Sequence, residues 1–153
     1  MDITRRRILK ASGAVLALAT GLFHSARIFA QEQWNKAAFE TKSFAATLKA
    51  LGAAGSTESV QVQITAPDIA ENGAVVPITV ESAIPGTRTI AILIEKNPNT
   101  LSADFEIPEG TDPFITTRVK MAETSNIYAV VQAGGKTFHA AKEIKVTLGG
   151  CGG

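Results

Sequence analysis

Residues 126–148 read NIYAVVQAGGKTFHAAKEIKVTL, and this stretch decides the fold class. Two runs rich in aliphatic and β-branched residues flank Gly134-Gly135. A two-glycine linker is a strong signal of a β-hairpin, because tight hairpin turns need residues that accept a positive φ. The stretch therefore predicts two antiparallel strands, over 126–132 and 136–148.

The preceding residues predict further short strands. Val60, Val62 and Ile64 alternate with polar residues, which is typical of a half-buried strand. Pro77 interrupts the next alternating run and predicts that this strand lies at a sheet edge. The remaining strands are predicted over 76–80, 89–95, 102–107 and 114–121. About seven strands in all favour a mainly β protein, an immunoglobulin-like antiparallel β-sandwich without its disulfide.

A short helical segment precedes the strands. Apolar residues recur at three- and four-residue steps, with Ser43 as a candidate N-cap and Gly52 as a stop. We therefore predict three regions: residues 1–30 as an export signal, a domain over 31–148 (helix 32–51, β-sandwich 58–148), and a flexible arm over 149–153.

Two predicted strands are apolar on both faces. Residues 90–94 and 127–131 lack the polar alternation of a half-buried strand. Either the N-terminal helical segment covers the second face, or that face meets another subunit. Both explanations remain open at this stage, and they are compatible.

Composition and charge exclude several classes of function. The chain has 153 residues, 45% of them hydrophobic, which suits one globular domain. Removing the five basic residues and one acid of the first thirty leaves 10 basic and 13 acidic residues, a net charge of −3. This acidic body argues against nucleic acid as the partner. One cysteine excludes an internal disulfide and a thiolate metal cluster.

Few residues offer catalytic chemistry. His139 lies on the polar face of its predicted strand without an evident partner, which is typical of a surface residue. The carboxylates of Asp104, Glu106, Glu109 and Asp112 gather around a loop, but their spacing matches no calcium loop. We expect no metal, no cofactor and no independent enzymatic activity.

The first thirty residues resemble a twin-arginine export signal. Residues 4–10 read TRRRILK, with the pair Arg5 and Arg6 after Thr4 and an apolar pair before Lys10. The apolar run that follows is too short and too rich in small residues for a good membrane-spanning helix. We predict cleavage after Ala30 and a periplasmic protein; an ordinary secretory signal is the alternative.

The chain ends with its single cysteine, Cys151, between Gly149-Gly150 and Gly152-Gly153. Glycine adopts almost any backbone conformation, so we expect an unpacked arm. Three residues of extended chain reach roughly 10 Å. A thiol on such an arm can enter a narrow channel of another protein, whereas a frayed end with a chance cysteine is the alternative. The arm therefore favours a carrier, on which other enzymes load and unload a covalent group.

These features together resemble the SoxY family of sulfur carriers. The terminal GGCGG carries most of the resemblance, and the segments 37–40 (AAFE) and 48–52 (LKALG) extend it along the chain. The resemblance implies that Cys151 is the substrate attachment site. It also implies that Gly149, Gly150, Gly152 and Gly153 supply reach and clearance.

The resemblance further implies partners that carry the redox chemistry. A haem-containing enzyme would join thiosulfate to Cys151, a manganese hydrolase would release sulfate, and a molybdenum-containing sulfane dehydrogenase would oxidise the remaining sulfur. A SoxZ-like subunit would form a heterodimer with the chain and be exported with it. No membrane association is expected after processing.

Three alternatives stay open. Cys151 could link two copies in a redox-regulated dimer. The chain could be a periplasmic redox or assembly factor, although one cysteine and one remaining histidine suit neither role well. It could also be a SoxY relative that carries a different sulfur compound.

Overall fold

The computed structural model of the chain describes residues 35–150, so the predicted export signal and residues 151–153 lie outside the described residues. Within 35–150, two short helices precede nine strands, and the predicted mainly β fold behind a helical segment is confirmed. The elements are α1 Lys36–Phe39, α2 Phe44–Ala50, β1 Thr57–Glu58, β2 Val62–Thr65, β3 Ile69–Ala70, β4 Val76–Ser82, β5 Thr87–Ile94, β6 Leu101–Glu106, β7 Phe114–Val119, β8 Ser125–Ala133 and β9 Lys136–Val146.

The strands form two sheets around one main hydrophobic core. The larger sheet has the order β1-β9-β8-β5-β6, with β3 also paired to β9, and the smaller has the order β2-β4-β7. Among the strands of residues 35–150, only the two-residue strands β1 and β3 pair in parallel fashion, both with β9. Inner-face residues of both sheets, such as Ile78 and Val80 of β4 with Ile92 of β5 and Ile127 of β8, are fully buried in the same core. This is the face-to-face packing of a β-sandwich.

The β8–β9 hairpin forms as the sequence predicts. Ala133 pairs with Lys136 across the turn, and the pairing continues to Ser125 opposite Ile144. Gly134 and Gly135 have φ values of 56° and 73°, which side chains with a Cβ rarely adopt. The glycine pair therefore fixes the register of the two longest strands.

The helices cover the outer face of the larger sheet. Ala91 and Leu93 of β5 and Val130 of β8 pack in a second buried cluster with Ala38 and Leu51 from the helical segment. This burial supports the first interpretation of the two strands that are apolar on both faces, namely that the helical segment covers their second face. A subunit contact at these strands stays a prediction.

The helical segment is two helices, where the sequence predicts one over 32–51; residues 32–34 lie outside the described residues. Thr41 Oγ1 donates to the carbonyl of Ala38 at 2.6 Å, a side-chain bond at the end of α1. Ser43 then caps α2, because its Oγ accepts from the N–H of Ala46 at 3.3 Å. Gly52 follows the helix with a φ of 67°, consistent with the predicted stop.

Two sequence predictions about the smaller sheet are wrong. Val60 is 91% exposed and precedes β2, so the alternating pattern begins at Val62. β4, which contains Pro77, is the central strand rather than an edge strand. The proline is accommodated because β2 pairs only with residues 79–82 of β4, so Pro77 lies beyond the end of β2.

Within residues 35–150, no helix has the length and apolar character needed to cross a membrane.

Candidate functional site: the root of the C-terminal arm

Some residues of the predicted site belong to the described part of the chain, and others do not. Cys151, Gly152 and Gly153 lie outside the described residues, as do Arg5, Arg6 and the cleavage position after Ala30. Gly149 and Gly150 are described, and they show where the arm leaves the domain. We call residues 148–150 the arm root.

The end of β9 directs the chain toward the arm root. The N–H of Val146 donates to Thr124 Oγ1 at 2.9 Å, on the loop before β8. Thr147 is tied twice: its N–H donates to the carbonyl of Ala70 at 3.1 Å, and its Oγ1 donates to the carbonyl of Glu71 at 2.9 Å. These bonds place the arm root beside the turn at residues 72–74.

Two backbone hydrogen bonds join the arm root to two loops of the domain, and a third joins these loops to each other. The N–H of Gly73 donates to the carbonyl of Leu148 at 2.7 Å, and the N–H of Met121 donates to the carbonyl of Gly73 at 2.7 Å. The N–H of Gly150 donates to the carbonyl of Met121 at 2.9 Å. The arm root is therefore packed against the domain through its main chain.

The packing at the arm root is too tight for side chains. A Cβ added to Gly149 would meet the carbonyl oxygen of Ala122, and one added to Gly150 would meet the backbone of Gly73 and Ala74, all closer than 3.0 Å. None of the three glycines at 73, 149 and 150 has a positive φ. They are required here for close approach and not for an unusual backbone conformation.

The position of Gly149 and Gly150 differs from the unpacked arm that the sequence predicts. Their hydrogen bonds and close contacts are long-range, so the local glycine pattern does not reveal them. Gly73 is the residue of the candidate site that sequence reasoning missed. The pair Asn72-Gly73 reads as an ordinary turn, and Asn72 Oδ1 does accept from the N–H of Ala74 at 2.8 Å. The local pattern gives no signal that the turn also receives the arm root.

Asn97 supports the loop on which the arm root rests. Its Nδ2 donates to the carbonyl of Lys120 at 2.7 Å, and its Oδ1 accepts from the N–H of Ala122 at 2.9 Å. Met121 lies between these two bonds, with its side chain fully buried in the main core. The carbonyl that accepts from Gly150 is therefore held by the core on one side and by Asn97 on the other.

His139 is half-buried and has partners, in contrast to the lone surface residue predicted. Its Nδ1 lies 3.0 Å from Ser56 Oγ, and its ring centroid is 6.3 Å from that of Tyr128. Seven residue steps along β9 lead from His139 to Val146, a distance of about 23 Å at about 3.3 Å per step. The histidine is consequently remote from the arm root.

The acidic residues predicted around a loop do not form a metal site in the described part of the chain. Among residues 35–150, no three His, Cys, Asp or Glu side chains are grouped to hold a metal ion. Asp104 and Glu106 lie on β6, an edge strand of the larger sheet. Partial burial, and to a lesser extent the neighbouring Glu106, raises the pKa of Asp104.

A cavity of about 470 Å³ lies between the β4–β5 turn and the loop before β7, lined by residues that include Ser82, Pro85 and Glu109. The arm root contacts residues 73–74, just before β4 begins, whereas Ser82 ends β4. The cavity and the arm root are therefore at opposite ends of this strand, and the cavity does not belong to the candidate site.

Comparisons with known proteins identify the family. A model of the family described as sulfur oxidation protein SoxY matches residues 48–151. The solved structure of the sulfur carrier protein SoxY from Chlorobium limicola f thiosulfatophilum has a TM-score of 0.64 and 39% sequence identity, over 74% of this chain and 100% of that chain.

A weaker likeness is to a chain in a structure that concerns T cell activation by the bacterial superantigen toxic shock syndrome toxin-1. Its TM-score is 0.39 at 14% identity, over 56% of this chain and 98% of that chain. No curated protein sequence matches the chain. The family model spans more than half of the chain, and the similarity to the SoxY structure covers the whole length of that structure's chain. The chain belongs to the SoxY family of sulfur oxidation proteins.

Proposed function

We propose that the protein is a periplasmic sulfur carrier that holds thiosulfate-derived sulfur covalently on Cys151. One observation supports this most directly: the SoxY family match extends to residue 151 and so includes the single cysteine of the chain. The similar protein from Chlorobium limicola is itself described as a sulfur carrier.

The arrangement of the arm root agrees with this role. Thr147 and Gly150 fix the course of the chain up to the residue before Cys151. Gly150, which precedes Cys151 in the sequence, therefore lies at a defined end of the domain, next to the 72–74 turn and the Met121 loop. A carrier needs such an arrangement, because its partner enzymes must find the thiol at a reproducible place.

The chemistry of loading is an oxidation. The thiol of Cys151 and the outer sulfur of thiosulfate form an S–S bond, one proton leaves the thiol, and two electrons pass to a haem-containing partner. Water then cleaves the terminal S–S bond, which releases hydrogen sulfate and leaves a persulfide on Cys151. A molybdenum-containing sulfane dehydrogenase then oxidises the outer sulfur of the persulfide to an S-sulfonate: three water molecules supply the oxygen atoms, six electrons pass to that partner, and the protons go to solvent. A second hydrolysis releases hydrogen sulfate and restores the thiol.

The partners supply the catalytic groups in this scheme. Hydrolysis belongs to a manganese-dependent partner, and the chain itself acts as a substrate-carrying subunit and not as an enzyme. A SoxZ-like subunit is the proposed constant partner. The net charge of −3 beyond residue 30 supports protein partners in preference to nucleic acid.

The mass of the intact protein tests the proposed function. Protein purified from cells fed with thiosulfate is expected to carry sulfane, sulfonate or thiosulfonate adducts, and a Cys151→Ser variant from the same cells should carry none. A free thiol alone, or a disulfide dimer alone on a non-reducing gel, would contradict the carrier function. The dimer result would support the alternative of a redox-regulated structural protein.

Export by the twin-arginine route is tested separately. Replacement of Arg5 and Arg6 by lysine is expected to keep the precursor in the cytoplasm, because this route reads the arginine pair. In the unaltered protein, the mass of the mature form should correspond to a chain that begins at Gln31. A periplasmic protein of unchanged amount in the double variant would show that an ordinary secretory signal is used.

A further inference from the structure

The turn at residues 72–74 contains a reactive pair whose chemistry the carrier function does not use. Asn72 is the single asparagine of the chain that is followed by glycine, and it is exposed. Asparagine is a thermolabile residue, and the nitrogen of a following glycine is the least hindered nucleophile for its carboxamide, because glycine has no Cβ. We propose that Asn72 is a modification site, at which the folded protein converts slowly to isoaspartate and aspartate.

The conversion proceeds through a cyclic succinimide. The nitrogen of Gly73 loses its proton to hydroxide and forms a bond with Cγ of Asn72. The bond from Cγ to Nδ2 then breaks, and Nδ2 takes a proton from water and leaves as ammonia. Water opens the ring on either side of the Gly73 nitrogen: cleavage at the former main-chain carbonyl gives isoaspartate, and cleavage at Cγ gives aspartate. Water and hydroxide are the only co-reactants.

One hydrogen bond of the turn favours this reaction. The N–H of Ala74 donates to Oδ1 of Asn72 at 2.8 Å. Negative charge develops on this oxygen when a nucleophile adds to Cγ, and a donor that is already in place stabilises that charge. Asn99 is also exposed, but Thr100 follows it, and the β-branched side chain of this buried residue hinders its own nitrogen. The turn therefore selects Asn72 by more than its exposure.

A second hydrogen bond slows the reaction. The N–H of Gly73 must lose its proton, and it donates to the carbonyl of Leu148 at 2.7 Å. Gly73 itself is buried. Its nitrogen can therefore attack Cγ only in the fraction of molecules in which this bond is broken. Because an unfolded chain lacks the bond, folding lowers the rate of conversion without changing which asparagine reacts first.

The isoaspartate product does not fit the folded turn. In isoaspartate the main chain runs through Cγ, which adds one carbon atom to the chain just before Gly73. Space around this glycine is lacking, since a Cβ on it would meet backbone atoms of Met121 and Gly150 closer than 3.0 Å. The N–H of Met121 donates to the carbonyl of Gly73 at 2.7 Å. We therefore expect conversion to weaken this bond, which makes the Met121 amide a reporter of the damage.

Peptide mass mapping tests the site in the folded protein, incubated in mildly alkaline buffer and digested at acidic pH. The peptide that contains Asn72 should gain about 1 Da before those that contain Asn99 and Asn126, and enzymatic methylation should detect isoaspartate in it. The same protein unfolded in guanidinium chloride should convert at least about tenfold faster, because the bond to Leu148 is absent. In the converted folded protein, hydrogen exchange of the Met121 amide should be faster than in fresh protein.

The matched variant is Asn72→Ser, because a serine hydroxyl can accept from the N–H of Ala74 but cannot form the succinimide. Over the same incubation, this variant should gain no mass at position 72 and keep the exchange rate of its Met121 amide. Two results would overturn the proposal: no gain at Asn72 in the folded protein once the unfolded protein has converted, or an equally fast gain at Asn99. An unchanged Met121 amide after conversion would contradict the expected damage to the packing. All three results leave the carrier function standing, which depends instead on sulfur adducts at Cys151.

Discussion

Asn97 offers a sharp test of how the domain supports the arm root. Its side-chain amide bridges the carbonyl of Lys120 and the N–H of Ala122, at 2.7 and 2.9 Å. Met121 lies between them and supplies the carbonyl that accepts from Gly150. An Asn97→Ala substitution removes both bonds and leaves the backbone turn in place.

The expected cost follows from these two bonds. A side-chain hydrogen bond contributes about 0.5–1.5 kcal/mol net, so losing both should lower the free energy of unfolding by about 1–3 kcal/mol. Part of this loss falls on the loop that receives the arm. The amide of Gly150 should therefore lose protection from hydrogen exchange by more than the global loss of stability accounts for.

Urea unfolding and amide exchange measure the two effects on the same protein. Asn99→Ala is the matched control, because Asn99 is an exposed residue of the same loop. The reasoning is refuted if Asn97→Ala and Asn99→Ala differ by less than about 0.5 kcal/mol in the free energy of unfolding. It is equally refuted if the amide of Gly150 exchanges at the same rate in both variants.

Three further predictions concern the rest of the domain. Leu93→Ala should cost about 2–5 kcal/mol in urea unfolding, because Leu93 is fully buried beneath the helices, whereas Val60→Ala at the 91% exposed position should change stability by less than about 0.5 kcal/mol. Lys142→Met should lower the free energy of unfolding by about 1–2 kcal/mol, because Lys142 Nζ donates to the carbonyl of Ala66 at 2.7 Å. Asp68→Ala should lower it by less than about 0.5 kcal/mol, since the Asp68 side chain is 89% exposed. Equal losses in the two variants would contradict this reasoning. The raised pKa of Asp104 means that the folded protein holds this proton to a higher pH than the unfolded chain, so stability should fall as pH rises through the folded-state pKa, and Asp104→Asn should remove that fall in urea titrations at acidic pH.

Local patterns in the sequence were sufficient for most of the fold. The glycine pair at 134–135 sets a turn that needs positive φ at both residues, and the structure has it. Ser43 caps its helix by the bond that its position predicts. These features depend on residues close together in the chain, so a sequence displays them directly.

The incorrect or missing predictions concern features that depend on contacts between distant segments of the chain. Pro77 suggests an edge strand, but the end of β2 falls short of it, and no local pattern encodes that length. The strands β1 and β3 have two residues each and exist only through parallel pairing with β9. Two residues cannot show a periodicity, so tertiary contact alone creates these strands.

The candidate site likewise has one part that the sequence reveals and one part that it does not. The cysteine and its flanking glycines are visible in the sequence, and they lead to the carrier prediction. The packing of the arm root against the domain is a contact of main chain with main chain, among Gly73, Met121 and Gly150. Such a contact requires only that these positions lack a side chain. In the sequence it is therefore visible only as a glycine, which at position 73 has the pattern of an ordinary turn.

Glycine consequently has two separable meanings in this chain. At Gly134 and Gly135 it provides a positive φ in open space, where a Cβ would meet no atom within 4 Å. At Gly73, Gly149 and Gly150 the φ values are not positive, and the requirement is close approach. The two glycines before Cys151 therefore allow the arm root to pack closely against the domain, in addition to the reach proposed for the arm. A substitution at Gly149 or Gly150 alters the arm itself, whereas a substitution at Gly73 alters the packing of the arm root and leaves the arm sequence unchanged. For this reason Gly73, a residue of the domain, is the position at which the packing of the arm root can be changed separately from the sequence of the arm.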